Sequence, residues 1–403
     1  MAMTTVLDSP AVLVEKPRIS SIDMMRGIVM VVMALDHTRD FFHIDAFLFD
    51  PLDLTKTSPV LFFTRWITHF CAPTFVFLSG MSARISLQSK GTKELSKFLL
   101  SRGLWLIFLE VTVVRFGLLF NFYYDFTLMQ VIWAIGASMV VLSALVFLKE
   151  RTVFILGLVI VFGHNLLDLV SVPQQSPLFP LWALFAQVGF FQITPQNAVA
   201  VPYPMLPWLG IMLTGYGMGM WYAKGYDADK RRVWLVRSGL IALALFVVLR
   251  FINIYGDPAP WSVQKNALYT FMSFINTTKY PVSLLFTLMI LGNTLLLLAA
   301  LERLKGKQGS FFLVYGRVPL FYFIVHFYLI HICALLYTIG NGIPFSSIDF
   351  HFAKGFGGIT AGSGVSLFWV YVVWAGIVLV LYPVCTWYNR YKSTHKDWWL
   401  SYL

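Results

Sequence analysis

The chain has 403 residues, of which 58% are hydrophobic, 17% aromatic and only 12% charged, about half the roughly 25% charged share of a soluble domain. Its mean hydropathy is +0.73, and apolar runs recur along its whole length, each of the about twenty residues needed to cross a ~30 Å hydrocarbon core. A soluble enzyme, a secreted disulfide scaffold and a disordered chain are excluded, and the net charge of +11 needs a topological explanation before a nucleic-acid one.

In chain order, the hydrophobic segments run Ile22–Phe42, Val60–Ala83, Phe98–Leu119, Leu128–Leu148, Thr152–Val172, Met205–Ala223, Val233–Ile254, Val282–Leu301, Val318–Tyr337 and Ser366–Tyr388. The expected fold is therefore an all-α integral membrane protein, a bundle of about ten transmembrane helices with long extracytoplasmic loops. Met1–Pro17 lacks an apolar core of the kind a cleavable signal peptide carries, and is expected to be a cytoplasmic tail. Residues 18–388 form the polytopic domain, and 389–403 a second cytoplasmic tail. With the N-terminus inside, 18 basic residues fall in inner segments and only 4, Lys56, Lys265, Lys279 and Lys354, in outer loops. That asymmetry is what the positive-inside rule requires, so the protein is expected in the cell (inner) membrane with both termini cytoplasmic. Cys71, Cys333 and Cys385 all lie in apolar stretches and imply neither a disulfide framework nor a zinc cluster.

Ionisable groups inside membrane spans are expensive and need a reason. The first span holds Arg26, Asp36, His37, Arg39 and Asp40. Arg26 and His37 are eleven residues apart, three helical turns plus about 20° and roughly 16.5 Å of rise, so they share a face. Asp36–Asp40 is either an outer juxtamembrane cap or a buried His-Asp group facing a water-filled cavity. The second span carries Arg65 and His69 at i,i+4, followed by Pro73, which frees the carbonyl of His69. Glu110 and Arg115 in the third span are expected to pair. His164 and Asp168 at the end of the fifth span stack at i,i+4, as a His-carboxylate couple or a surface cap. On the ninth span His326 and His331 are about 140° apart, so at most one lines a given cavity; His326, one turn from Tyr322, is the better candidate. The outer loop Ser171–Tyr203 is rich in Pro and aromatics and has no Lys or Arg, which suits an interfacial cover or a re-entrant segment.

No phosphate loop, zinc helix, nucleophile elbow or metal-ligand spacing stands out. What remains is a basic inner end (Arg26, Lys90, Lys93, Lys97, Arg102, Arg317) below a His/Asp/Arg/Tyr interior. Basic groups at the inner mouth suit a phosphate-rich ligand, and a deeper histidine suits general-base chemistry.

The stretch Arg18-Ile-Ser-Ser-Ile-Asp23-Met-Met-Arg26-Gly27 resembles the opening of the transmembrane acyltransferases related to heparan-α-glucosaminide N-acetyltransferase, bacterial-type members included. The spacing Arg26-x10-His37 is similar to that of acyltransferase-3 proteins. Phe70-Cys-Ala-Pro73-Thr-Phe-Val-Phe-Leu-Ser-Gly80, Tyr203-Pro-Met-Leu-Pro-Trp-Leu-Gly210 and Gly316-Arg317-Val-Pro-Leu-Phe-Tyr resemble later blocks, in the same order. The resemblance implies a bundle of ten or eleven helices that takes acetyl-CoA from the cytoplasm and delivers acetyl to an amine or hydroxyl on the far side. Arg26 matches the family arginine, and His37 the acyltransferase-3 histidine. The lysosomal member has Asn where His37 stands and its proposed active histidine in the following loop, a role for which His43 is the nearest candidate here. Its large lumenal domain is missing from this chain.

The expected function is thus a membrane-embedded N- or O-acetyltransferase that uses acetyl-CoA, and no metal, on a sugar or cell-envelope acceptor. His37, oriented by Asp36 or Asp40, is the candidate base or acetyl carrier, with His43 as its rival. Arg26, Lys97, Arg102 and Arg317 are candidates for holding the CoA phosphates. Arg65, His69, His164, Asp168 and His326 are expected on the acceptor side. The partners implied are acetyl-CoA, a sugar or glycan, membrane lipids and, as an option, a second copy in a homodimer, with no nucleic acid. The competing class is a proton-coupled transporter or permease, in which the same charges form a relay. No internal repeat of the kind common in transporters is evident.

Overall fold

The computed structural model describes residues 19–304, 310–395 and 397–402; the tail through Arg18, Lys305, Lys307 and Lys396 lie outside the described residues. The chain is helical almost throughout. α1 (Ser20–Phe42) is followed by α2 (Pro59–Thr68), capped by Ser58 with Pro59 in its first turn, and α3 (Cys71–Lys90). These last two divide the apolar segment expected over 60–83. The break falls where His69 and Phe70 donate to Trp66 and Ile67 in tight three-residue turns, just ahead of Pro73, which has no N–H to offer the carbonyl of His69.

α4 (Thr92–Leu109) passes through a π-turn at Glu110–Val114 into α5 (Arg115–Leu119). The expected Glu110–Arg115 pair does not form. Glu110 accepts the backbone N–H of Trp133 at 2.9 Å, capping the next helix. Arg115 donates to the carbonyls of Phe126 (2.8 Å) and Asn121 (2.7 Å) and lies over the Tyr124 ring. The widened π-turn separates the two side chains, and nearer backbone groups satisfy each.

β1 (Phe126–Leu128), α6 (Val131–Leu145) and α7 (Glu150–Gly163) come next. The segment 171–203 is a folded cover: α8 (Phe179–Phe185), then a hairpin of β2 (Gly189–Thr194) and β3 (Asn197–Val201). β3 pairs antiparallel with β2 and parallel with β1, with Thr127 opposite Val199, giving the order β1-β3-β2. The remaining helices are α9 (Met205–Met218), α10 (Ala228–Ile252), α11 (Ala267–Ile275), α12 (Leu284–Leu301), α13 (Ser310–Gly316), α14 (Pro319–Gly340) and α15 (Leu367–Thr394).

Six helical stretches among the described residues are long and apolar enough to cross a membrane: Pro59–Lys90, Glu150–Leu169, Ala228–Ile252, Leu284–Leu301, Pro319–Gly340 and Leu367–Thr394. Several keep their apolar surface outward, as with Leu240, Ile241, Val248 and Phe251 on α10 and Phe368, Leu379 and Val380 on α15. Only lipid makes such faces inexpensive, so this is a multi-pass membrane protein. α1 is not among the six because its charges interrupt its apolar run. It occupies the centre instead, with 17 of its 23 residues buried, against α2, α3, α12, α13, α14 and α15.

The α1–α13 crossing is a backbone-to-backbone contact. A Cβ on Gly27 would lie 1.8 Å from the carbonyl oxygen of Phe312, and one on Gly316 1.7 Å from that of Asp23. The Arg26-Gly27 and Gly316-Arg317 blocks of the sequence therefore meet in space, with glycine serving close approach. Gly27→Leu or Gly316→Leu is expected to cost at least about 1–3 kcal/mol, because backbone must move. Gly376→Ala in α15, where an added Cβ meets nothing within 4 Å, should leave the melting temperature in detergent unchanged or raise it. Equal melting of the two classes of variant would contradict the crossing.

Candidate active site

The C-terminal half of α1 concentrates the charge. Arg39 donates to Asp36 at 3.0 Å and to Asp40 at 2.7 Å. Arg65, from α2, donates to the other oxygen of Asp36. Both carboxylates are thus engaged by guanidinium groups, which suits a low-dielectric site where an unpaired charge is costly. His37 packs against Phe327 with centroids 4.2 Å apart and faces the ring of His326 at 5.3 Å. Its Nδ1 lies 4.0 Å from Asp40, one small movement from a hydrogen bond.

These groups open onto a cavity of about 310 Å³. Its lining on α1 runs from Met30 to Phe41, and on α4–α5 from Arg102 to Leu118, so the cavity is elongated along the helix axes, over about 16 Å on α1. Arg102, Ser79, Leu320 and Phe323 line it towards one end. Asp36, His37, Asp40, Arg65, Lys279, Tyr280 and Tyr203 line it towards the other. A second hollow of about 480 Å³ lies beneath the 171–203 cover and shares the wall residues Leu128 and Pro202 with the first.

Of the residues expected from sequence, the cavity brings together Asp36, His37, Asp40, Arg65 and Arg102. His326 stands behind His37, fully buried, stacked on Tyr322 and bonded through Nδ1 to the Tyr322 carbonyl at 3.0 Å. Arg26 lies in the N-terminal half of α1, pairing with Asp23 at 3.0 Å and donating to Ser82 of α3. Lys97 and Arg317 are exposed. The other three histidines lie elsewhere. His43 is buried where the chain after α1 pairs with Val365, and His69 packs on Phe286. His164 does not couple to Asp168: its ring nitrogens face the carbonyls of Ile160, Val161 and Val282. Asp168 is exposed and accepts from Asn165 at 2.8 Å. The i,i+4 spacing fails there because the helix tightens into a 3-10 turn at His164–Leu169.

Sequence reasoning missed Lys279, Tyr280, Tyr203 and Gln130 as cavity residues. Lys279 had counted as an outer-loop cation, yet it is only 7% exposed. The phenols of Tyr203 and Tyr280 lie 3.4 Å apart. Burial pushes the Tyr203 phenol well above its ordinary range. For Tyr280 burial acts in the same direction, but the cations Lys279 and Arg65 outweigh it and bring the phenol below its usual range.

Residues 18–255, more than half of the chain, match the model of the heparan-alpha-glucosaminide N-acetyltransferase catalytic family. The chain belongs to that family. Among curated proteins no relative matches it. The family is one of transmembrane acetyltransferases, and the matched stretch includes α1, α2 and α4, which supply Asp36, His37, Asp40, Arg65 and Arg102. Lys279, Tyr280, Arg317 and His326 lie beyond it.

The Asp36–Arg65 pair ties α1 to α2 beside the cavity. Arg65→Met is expected to destabilise the protein by up to about 3–5 kcal/mol, tempered by the remaining Arg39 contact. Asp36→Asn in the same chain should recover part of that loss, since it removes the stranded charge. Thermal melting of the two single variants and the double variant measures the coupling; strict additivity would mean the pair does not tie the helices.

Proposed function

We propose that the protein transfers acetyl from cytosolic acetyl-CoA to an amine or hydroxyl of a sugar or cell-envelope acceptor on the extracytoplasmic side. In this reading ten spans cross the membrane and both termini are cytoplasmic. The observation that carries it is the single elongated cavity with Arg102 towards one end and His37, Asp36 and Asp40 towards the other. Its volume of about 310 Å³ lies at the small end of the ~300–1,000 Å³ of ligand pockets. It suits a pantetheine arm and a reacting sugar edge, and leaves the nucleotide outside. Exposed Arg317, just before α14, and exposed Lys97, on the same helix as Arg102, then hold phosphates at the mouth, with Arg26 bordering them.

In the mechanism, His37 takes the proton of the acceptor hydroxyl or amine as that group attacks the thioester carbonyl. Asp40 orients the imidazole and favours its protonated form as the proton arrives. Asp36 is held by two arginines and acts by fixing Arg65 and Arg39, so that fixed cations face the oxyanion as it forms. The proton then passes to the departing CoA thiolate. His326 supports the His37 ring from behind. The transporter alternative draws on the same buried charges, but Arg102 and the exposed basic mouth favour a phosphate-bearing ligand.

Acetyl-CoA should raise the melting temperature of the detergent-solubilised protein by mass action. Arg102→Ala should shrink that shift, most strongly at low salt, where the attraction between guanidinium and phosphate is least screened. A solute that is moved without CoA release, together with no acetyl-CoA shift at millimolar concentration, would replace this assignment with the transporter.

His37→Ala should lower acetyl transfer by roughly 10²–10⁴-fold, the usual scale for a lost general base, while the acetyl-CoA melting shift persists. His43→Ala and His164→Ala, away from the cavity, should cost far less. A dead His43→Ala beside a nearly active His37→Ala would move the base to the loop histidine.

A further inference from the structure

We infer that the hollow beneath the 171–203 cover binds a hydrocarbon chain of a membrane phospholipid, and that the cover itself rests in the edge of the bilayer. Neither part depends on the acetyltransferase assignment.

The first support is a long connection without charge. Residues 171–203 contain no Asp, Glu, Lys, Arg or His, whereas roughly 25% of the residues in a soluble domain are charged. The segment is also apolar on the side it turns outward. α8 reads Phe-Pro-Leu-Trp-Ala-Leu-Phe. Its Phe179 and Ala183 are buried, while Leu181 and Phe185 stay exposed. A helix that is apolar all round needs apolar surroundings on both sides. Leu178, Phe190 and Ile193 extend the exposed apolar surface. It begins at Leu169 and Val170, where the spanning stretch Glu150–Leu169 ends. A docked soluble protein would ordinarily meet a polar, partly charged rim around such a patch. The cover offers none, and hydrocarbon needs none.

The second support is how the cover is seated. Phe179, Ala183, Val199 and Val201, with Met129 next to β1, form a small core of their own, separate from that of the bundle. The hollow of about 480 Å³ adjoins this core, since Phe179 and Val201 belong to both. Val172, Val188 and Phe190 present further hydrocarbon to it, and no lining residue is charged. Protein interiors leave few voids larger than a water molecule, and an enclosed water needs several polar partners. These walls offer mainly hydrocarbon. A flexible lipid chain fills the space and removes apolar wall from water. The hollow is reached from outside, because Ser171, Pro173 and Phe190 of its wall are exposed.

The third support gives the site a consequence. Leu128 and Pro202 separate the hollow from the cavity that holds His37, each lining both. Leu128 ends β1 and pairs with Ala200 of β3, and Ala200 also lines the hollow. A bound chain therefore backs the strand pair that forms this part of the cavity wall.

The test titrates delipidated, detergent-solubilised full-length protein with a phosphatidylcholine that carries a photoreactive diazirine at the end of one acyl chain. Labelled residues are mapped by mass spectrometry after illumination. Label on Val172, Phe179, Val188 or Phe190 should saturate at stoichiometric probe, whereas label on Leu379 and Val380, on the exposed face of α15, should keep rising. Ala200→Trp, which fills the hollow, should abolish the saturable label and leave that on α15 unchanged. Val172→Trp serves the same purpose if Ala200→Trp folds poorly. In nanodiscs made with the same probe, Leu181 and Phe185 should be labelled together with α15. A parent protein labelled on α15 but not in the hollow overturns the site, as does hollow label that never saturates or that survives both filled variants. If an alkyl glycoside bearing the same diazirine labels the hollow and phosphatidylcholine does not, the chain belongs to a substrate and the phospholipid assignment fails. If Leu181 escapes the probe and Leu181→Cys forms a disulfide between two chains, the cover is an interface between copies and does not rest in lipid.

Discussion

A carboxylate at the centre of an apolar bundle must be neutralised at once, and Asp36 of α1 meets that demand with two arginines, one from its own helix and one from α2. Much of the site follows from this constraint. Arg65 has to point inward, which fixes the rotation of α2. α1 has to be enclosed, which puts its apolar faces against six other helices. Close enclosure near its N-terminal end requires glycine, and Gly27 and Gly316 supply it where α1 crosses α13. Replacing the ion pair with apolar side chains of similar volume is expected to leave the bundle as stable or more so.

The intramembrane charges divide into two physical classes. Arg115 and Arg250 bond to backbone carbonyls left open at helix ends and turns, and neither lines the cavity. They are clamps that hold connections, in a setting where water is not available to satisfy those carbonyls. His164 does similar work against three carbonyls. Asp36, His37, Asp40, Arg65, Arg102 and Lys279 are the other class, side chains that face open space. The distinction is one of position: Arg115 and Arg250 hold backbone at connections, whereas the second group lines the cavity.

Hydropathy and charge asymmetry were enough to recognise a multi-pass membrane protein, because lipid imposes its length and polarity requirements on each segment separately. The cluster Asp36-His37-x-Arg39-Asp40 and, on the next span, Arg65 were also legible as charges inside apolar runs, but the pairing of Asp36 with Arg65 was not. Local spacing was a poorer guide wherever the helix departed from its ideal period. Glu110 and Arg115 failed to pair across a π-turn, and His164 and Asp168 across a 3-10 turn. The segment 171–203, which carries few periodic signals, contributes a helix and a hairpin through pairing with a strand some seventy residues earlier.

By itself the sequence determined the solvent of this protein, its helical class, its family resemblance and the helix that carries its central charges. Those properties are encoded in composition and in residues near one another along the chain. Tertiary structure alone decided which charges share a cavity. It brought Lys279 and Tyr280 to Asp36, His37 and Arg65 across more than two hundred residues, set His326 behind His37, and left His43 and His164 outside. No local period records that choice, because it depends on how whole helices rotate and cross to bury charge in pairs while keeping their apolar faces towards lipid.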